Sequence, residues 1–515
     1  MTTSGADAET APRTSPRDHT ELDSAVRSGL VWTSAAKWAV QAISWASTIL
    51  VVRLLAPRDY GVLGMAVVFL SALQPLCEWG IAAAIVRDRT LSRFQISQLN
   101  GLALVLGILG WLVIAAAASP IAVFFHEPEL RRAIPVIGLT FVLSAIRTVP
   151  GALLVRQMRF RSLAVVETSE ALCMSIITLA VASIGQGYWA LVAGQLGGRA
   201  IGTLTAVLLS PVRISLTLSA AAIGNSLRFG GWVAASTLAW MAYSNADRAI
   251  VGRVMGETAL GAYAIAMTFA VMPVEKIGQL YQRVAEAVIA QIQSDRGSVT
   301  RYLLGITESV AAIAFPLSVG LALVADQFVE VILGEQWQPA IVPLQLLALA
   351  SVSRSIDPLL AQILIVTGHA RENARSMVIA VAILPVAFVL AARAGWGVAG
   401  VAGVWLVGHP AIVVSRQLRI VLKVTGASAG AYARALWPAT SSTVLMAVAV
   451  VGIRALTNDW TSTGAALSVT IAAGALAYAA ALYGFHRARV GAAWAFARGR
   501  ASVTPSARPM SEMSA

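Results

Sequence analysis

Apolar runs of about 20 residues follow one another from Leu30 to His486, separated only by short polar or Gly/Pro-rich connections. A helix needs roughly 20 residues to cross a hydrocarbon core about 30 Å thick, and a soluble domain has no use for so many such runs. The pattern predicts helices at 30–52, 61–86, 98–118, 133–153, 163–183, 188–210, 229–250, 259–282, 303–325, 340–366, 376–392, 398–415, 435–453 and 463–485. Polar punctuation marks the ends, as in Ala56-Pro57-Arg58-Asp59-Tyr60-Gly61 and Gly334-Glu335-Gln336-Trp337-Gln338-Pro339. Connections this short make successive helices antiparallel. The chain is expected to be an all-α polytopic membrane protein with about fourteen transmembrane helices and no separate soluble domain.

Composition agrees: of 515 residues, 57% are hydrophobic and 12% charged, where a soluble domain carries about 25% charged residues. Residues 1–28 are polar and lack the apolar core and cleavage site of a signal peptide, so a disordered cytoplasmic tail is expected there, and a basic tail at 487–515. Cys77 and Cys173 both fall inside predicted helices. Neither a disulfide framework nor a metal-type Cys/His spacing is present, and no cofactor is expected. A nucleotide-binding Walker A sequence is absent as well.

The +13 net charge reflects orientation rather than a nucleic-acid partner. With Arg248, at the outer edge of its helix, counted with the connection that follows, one set of alternating connections with the tails holds 25 Lys and Arg; the other holds eight; five lie within helices, which accounts for all 38. Cytoplasmic segments carry the excess, so both termini are expected inside and the Arg53–Arg58 and Arg248–Arg253 connections outside.

A repeat is visible at an offset of 200 residues: Trp32 matches Trp232, Arg53 matches Arg253, Gly61 matches Gly261, Ala66 matches Ala266 and Phe69 matches Phe269. The seventh helix follows the first by six crossings, so both start on the same side and the repeat is parallel, about an axis along the membrane normal. Transporters share this plan, with substrate bound near the midplane between halves. The expected organisation is a first six-helix bundle at 29–212, a second at 213–420 and two extra transmembrane helices at 421–486.

Two segments carry a family resemblance. Arg53-Leu-Leu-Ala-Pro-Arg-Asp-Tyr-Gly61, followed by Gly80-Ile-Ala-Ala-Ala84, resembles the first hairpin of bacterial polysaccharide exporters. Asn245-Ala-Asp247-Arg-Ala-Ile-Val-Gly252, then Ala259-Leu-Gly-Ala-Tyr263, resembles their seventh and eighth helices. These exporters are the O-unit and exopolysaccharide flippases of the multidrug/oligosaccharidyl-lipid/polysaccharide superfamily. The resemblance implies two six-helix bundles forming a V around a central cavity, alternating access, and a polyprenyl-diphosphate-linked oligosaccharide as cargo. It also implies a bacterial plasma (inner) membrane, contact with membrane lipids, and a polysaccharide polymerase and glycosyltransferases as pathway partners.

Ionisable groups inside a membrane are costly and face a cavity or a partner. Glu167, Glu170, Lys276 and Glu308 lie close enough to the cytoplasmic ends to reach the headgroups. Arg147, Arg199 and Arg354 lie deeper. Arg147 and Arg354 sit in repeat-related helices, each shortly before a proline (Pro150, Pro358). Two readings of these arginines stand level. A guanidinium grips phosphate oxygens in a planar fork, which makes Arg147, Arg354 and Arg199, with Lys37 on the first helix, candidates for the diphosphate. Alternatively, Arg354 pairs with Asp357 one turn along, and Arg147 with a carboxylate of a neighbouring helix. Glu78, beside Cys77, is a candidate partner of Lys37 or proton carrier. Asp247 and Arg248 are expected at an outer helix end as a gate or interface pair, and Asp357 as a further coupling or gating residue. His409 is expected to be a satisfied structural histidine. Trp32, Trp111, Trp189, Trp337, Trp396 and Trp460 are expected to anchor helix ends at the membrane surface.

A membrane polysaccharide polymerase or ligase would also be polytopic, but such an enzyme needs a catalytic constellation on a large external loop, and the outer loops here are short. A drug exporter of the same superfamily would favour an acidic cavity, whereas the deepest charges are arginines. The sequence therefore favours a non-enzymatic exporter.

Overall fold

The computed structural model describes residues 44–215, 220–292, 295–457, 460 and 462–497. The helices are α1 (Ser44–Leu54), α2 (Pro57–Glu78), α3 (Ile81–Arg87), α4 (Arg93–Phe125), α5 (Leu130–Arg156), α6 (Phe160–Ser183), α7 (Tyr188–Leu209), α8 (Ala220–Ile292), α9 (Arg296–Leu323), α10 (Ala325–Phe328), α11 (Ile341–Arg354), α12 (Asp357–Val366), α13 (Ala370–Arg393), α14 (Gly397–His409), α15 (Ser415–Thr425), α16 (Ala429–Thr457) and α17 (Thr463–Ala497). Among the described residues, twelve helical stretches are long and apolar enough to cross a membrane. Most of the expected first helix lies outside the described residues, leaving α1. The expected seventh and eighth helices are the two arms of α8, which meet at Gly256 (φ 85°, ψ −176°). Only glycine adopts that backbone without strain.

Local sequence sets several boundaries. Ser92 and Gln95 cap α4 reciprocally: the Gln95 N–H donates to Ser92 Oγ (3.2 Å) and the Ser92 N–H to Gln95 Oε1 (2.9 Å). Asp295 caps α9 by accepting from the Gly297 and Ser298 N–H groups. The Ser298 hydroxyl and these N–H groups hold its carboxyl below the usual carboxylate range. Two successive left-handed residues, Trp79 (φ 43°) and Gly80 (φ 60°), end α2 and begin α3.

The span expected as one helix at 340–366 is instead broken. A 3-10 turn at Glu335–Ala340 leads into α11, and residues 355–356 separate α11 from α12. Pro358 lacks an N–H and stands in the first turn of α12, where none is needed. Further along, Pro410 opens a π-helical segment, Pro410–Val414, between α14 and α15.

The repeat reappears in space. An added methyl on Gly61 would overlap the Glu257 carbonyl, and one on Gly261 would overlap the Pro57 carbonyl. Residues 57 and 257, like 61 and 261, are 200 positions apart, so α2 and the second arm of α8 meet in a reciprocal, two-fold-like backbone contact. Repeat-related arginines reinforce this end. Arg53 Nε donates to the Ile332 carbonyl (2.9 Å) and its Nη2 to Val331, while Arg253 reaches back to the His126 ring (2.9 Å to Nε2). Arg58 lies near Glu129 (3.1 Å) and Glu257 (3.7 Å). Trp337, expected as a surface anchor, is fully buried here and donates to the Val52 carbonyl (2.9 Å). Trp396 (70% exposed) and Trp460 (47% exposed) do remain on the surface. The largest apolar core runs through both halves, from Val62, Met65 and Ile134 to Tyr263, Trp337 and Leu344. Helices α16 and α17 attach to the second half along α9 and α10, where Tyr478 Oη donates to the Ala312 carbonyl of α9 (2.7 Å) and Arg454 binds Asp326 of α10.

Overpacking a close contact costs about 1–3 kcal/mol. Gly61→Ala and Gly261→Ala should therefore each lower the thermal unfolding temperature of the purified protein in detergent. Gly151→Ala, with open space around it, should not. A Gly61→Ala protein as stable as the parent would mean that the halves do not meet as described.

Candidate transport site

In the first half, glycines at every fourth position of α7 make the site. Gly194, Gly198 and Gly202 lie against α6, where added methyls would meet Thr178, Met174 and Glu170 respectively. Small residues let membrane helices approach closely. That approach places Glu170 of α6 between two cations: Arg147 Nη1 of α5, and Arg199 Nη1 of α7 at 3.1 Å from Glu170 Oε1. Glu170 therefore does not reach for the headgroups, as its position suggested, but is bound by both arginines. Two guanidiniums against one carboxylate leave one positive charge in excess.

The second half is organised around α14. Trp405 and His409 are four residues apart and share a face, their rings 5.6 Å apart. Arg354, at the end of α11, lies over the Trp405 ring at 4.5 Å, with Met267 Sδ 3.7 Å from its Nη1. Asp357 Oδ2 stands 3.6 Å from His409 Nε2. The pairing of Arg354 with Asp357 within one helix, one of the two alternatives the sequence left open, does not form: the break at residues 355–356 separates them. Each meets a different ring of α14. Among the described residues, Arg354 has no carboxylate partner.

Asp247 does not stand at a helix end. It precedes the Gly256 turn by nine residues, about 13 Å of helix, and is 1% exposed. Its Oδ2 accepts from Tyr263 Oη (2.6 Å) and Trp405 Nε1 (2.8 Å), and its Oδ1 from the Arg248 N–H (2.7 Å). The Arg248 guanidinium turns instead to Asn245 Oδ1 (3.2 Å), so the two side chains do not form an ion pair. Glu78 accepts from Gln74 Nε2 (2.8 Å); Lys37, its expected partner, lies outside the described residues. Thus the structure joins Arg147 to Arg199 through Glu170, and Arg354 to Asp247 through Trp405. Among the described residues, the hydrogen-bond partner of Glu78 is Gln74, a member of neither cluster. Sequence reasoning missed Trp405 and Tyr263 as ligands of Asp247. Tyr263 stood within the quoted Ala259–Tyr263 segment, and Trp405 four residues before the only histidine of its helix.

A buried donor left without an acceptor costs about 1–3 kcal/mol. Asp247→Ala should strand Tyr263 Oη and Trp405 Nε1 and lower the unfolding temperature most. Asp247→Asn keeps one acceptor oxygen but turns its NH2 toward the Arg248 N–H, and should fall between the alanine variant and the parent. Equal stability of all three proteins would contradict the hydrogen-bond assignment.

Comparison with known proteins agrees with this architecture. A family model described as "Polysaccharide biosynthesis protein" matches residues 50–342. The lipopolysaccharide biosynthesis protein WzxC of Escherichia coli (strain K12) is 25% identical over 335 residues, covering 64% of this chain and 67% of its own length. The teichuronic acid biosynthesis protein TuaB of Bacillus subtilis (strain 168) is 25% identical over 299 residues, 58% of this chain and 62% of its own. The chain thus matches about two thirds of the length of these relatives. In fold it is similar to the lipid II flippase MurJ in an inward closed conformation, with a TM-score of 0.74 and 12% identity over 89% of this chain and all of that one. With more than half of its length matched by the family model, this multi-pass membrane protein belongs to the polysaccharide biosynthesis protein family.

Proposed function

We propose that the protein is a flippase that moves a polyprenyl-diphosphate-linked oligosaccharide across the bacterial plasma membrane for surface polysaccharide synthesis. The observation that carries this reading is the pairing of a polysaccharide biosynthesis family with the fold of a lipid II flippase. The intramembrane charges support it. Arg354, which has no carboxylate partner among the described residues and lies on an aromatic face, offers a fork of donors to a diphosphate. The excess charge of the Arg147–Glu170–Arg199 cluster offers a second anchor. The two repeat-related halves would rock about the cargo, opening and closing the contact at Gly61 and Gly261, which the arginine distribution assigns to the outer face. Both termini are cytoplasmic in this reading. A polymerase and glycosyltransferases would act before and after transport.

Each charge-assisted hydrogen bond to the diphosphate is worth about 1.5–3 kcal/mol, or roughly ten- to a hundredfold in binding at 1.4 kcal/mol per decade. Arg147→Ala leaves Glu170 paired with Arg199 and should fold normally. Arg354→Ala leaves Asp357 with His409. Both should transport lipid-linked glycan in proteoliposomes ten- to a hundredfold more slowly at limiting cargo. Lys should restore part of the rate, because it keeps the charge and loses the fork, and Gln none. Well-folded alanine variants transporting at the parent rate would remove these arginines from the binding site. Orientation has its own check: a reporter active only in the periplasm, fused after Arg498, should stay silent.

A further inference from the structure

We propose that His409 and Asp357 form a proton-binding site that links protonation to the packing of the second half. This rests on the flippase reading only in naming the proton as coupling ion; the site itself rests on geometry. His409 is 3% exposed, and its Nε2 stands 3.6 Å from Asp357 Oδ2, beyond the 2.7–3.2 Å of an N–H···O hydrogen bond. Its Nδ1 and the Asp357 Oδ1 are also buried and without a partner. Buried polar atoms are nearly always satisfied, so a pair with two orphaned atoms and a long third contact is built for a second arrangement. A proton supplies it. Taken up on the imidazole, it makes a cation whose N–H groups face a carboxylate, and the contact can close to ordinary hydrogen-bond length.

The helices on either side are able to follow. Asp357 opens α12 at the break after α11, and His409 is the last residue of α14 before the π-helical segment at Pro410–Val414. A closure at this point moves two helix ends, not the middle of two intact ladders. Single π turns and proline-bearing breaks are where helices bend. The surrounding charges have partners of their own. On α8, Asp247 is held by Tyr263 and Trp405. On α11, Arg354 lies on the Trp405 ring, and Trp405 in turn lies against His409. On α13, Glu372 is bound by Arg375 and by Arg416 of α15. Glu308 of α9, which packs against α12, also has a partner. From α13, Leu384 lies beside Gly408, the residue before His409, and Phe388 lies against Trp405. The proton-accepting group of this cluster is therefore the His409–Asp357 pair.

The test has two arms. In detergent, without cargo, the imidazole resonances of the five histidines are followed by NMR from pH 5 to 9. The His409 signal is assigned by its absence from His409→Gln or His409→Asn. We expect it to titrate, and Asp357→Asn to displace its midpoint. Trp405 emission should fall as it protonates, and Trp405→Phe should abolish that change. A His409 that keeps one protonation state throughout, or titrates with no effect of Asp357→Asn, overturns the proposal. In proteoliposomes, acid on the delivery side should raise accumulation of lipid-linked glycan by up to about tenfold per pH unit for one proton, and His409→Gln should remove that dependence. Gradient-independent transport by the parent overturns the coupling and leaves the flippase standing. Absence of transport under every gradient overturns the flippase reading, and the detergent arm still decides the site.

Discussion

Hydrocarbon offers no partner to a backbone carbonyl, an arginine or a carboxylate, so each must be satisfied by another part of the chain. Much of the helix arrangement follows from that. Glu170 sits in the narrow seam that the α7 glycines create, and its charge ties α5, α6 and α7 together. Asp247 draws a tyrosine, an indole and a backbone N–H to itself from both arms of α8 and from α14. The broken backbone obeys the same constraint. Ser355 and Ile356, between α11 and α12, are 2% and 7% exposed, so the freed polar groups lie inside protein and away from lipid. Arg53 treats the π-helical stretch Val329–Leu333 in the same way, by donating to its Val331 and Ile332 carbonyls.

Most of the fold was legible in the sequence because membrane helices announce themselves by composition alone. The apolar runs, the short connections and the repeat at 200 residues each have a local cause, and each has a counterpart in space. Even Gly61 and Gly261, picked out only as a matching pair, turned out to touch each other's segments. The site was legible in its membership and not in its pairing. Arg147, Arg199, Arg354, Asp357 and Asp247 all stood out as charges among apolar residues. Partner choice, however, depends on helix rotation and on breaks, which periodicity assumes away. An uninterrupted helix through 340–366 would have put Arg354 and Asp357 on one face; the break at residues 355–356 gave them to different rings. The depth of Asp247 was misjudged because the helix continues to Met255 before it turns. Trp337 was misplaced for a related reason. A tryptophan beside a polar loop suits a membrane surface, and only the meeting of the two halves brings Val52 within reach of its indole.

The repeat is imperfect in an instructive way. Arg53 and Arg253 both cross between halves, yet one binds backbone carbonyls and the other a histidine ring. Trp337 has Ile137 as its counterpart at the 200-residue offset, and isoleucine has no N–H to give. The two halves thus share a scaffold while differing in the chemistry they place on it. The charge clusters differ likewise: a carboxylate between two guanidiniums in the first half, aromatic rings beneath a guanidinium in the second.

The reciprocal glycine contact also bears on how such a chain can have arisen. If the two halves descend from one duplicated segment, the ancestor was a patch that met its own copy, and any change in it was felt twice at once. After fusion, each copy could drift wherever its neighbours differed, as at Trp337 and Ile137. At Gly61 and Gly261 that freedom is withheld. Each glycine lies against the backbone of the opposite copy, two positions locked to residues 257 and 57 whatever side chains those carry. Such a contact stores no sequence information beyond the need for nothing to be there, so it asks the same of both positions whatever side chains surround them.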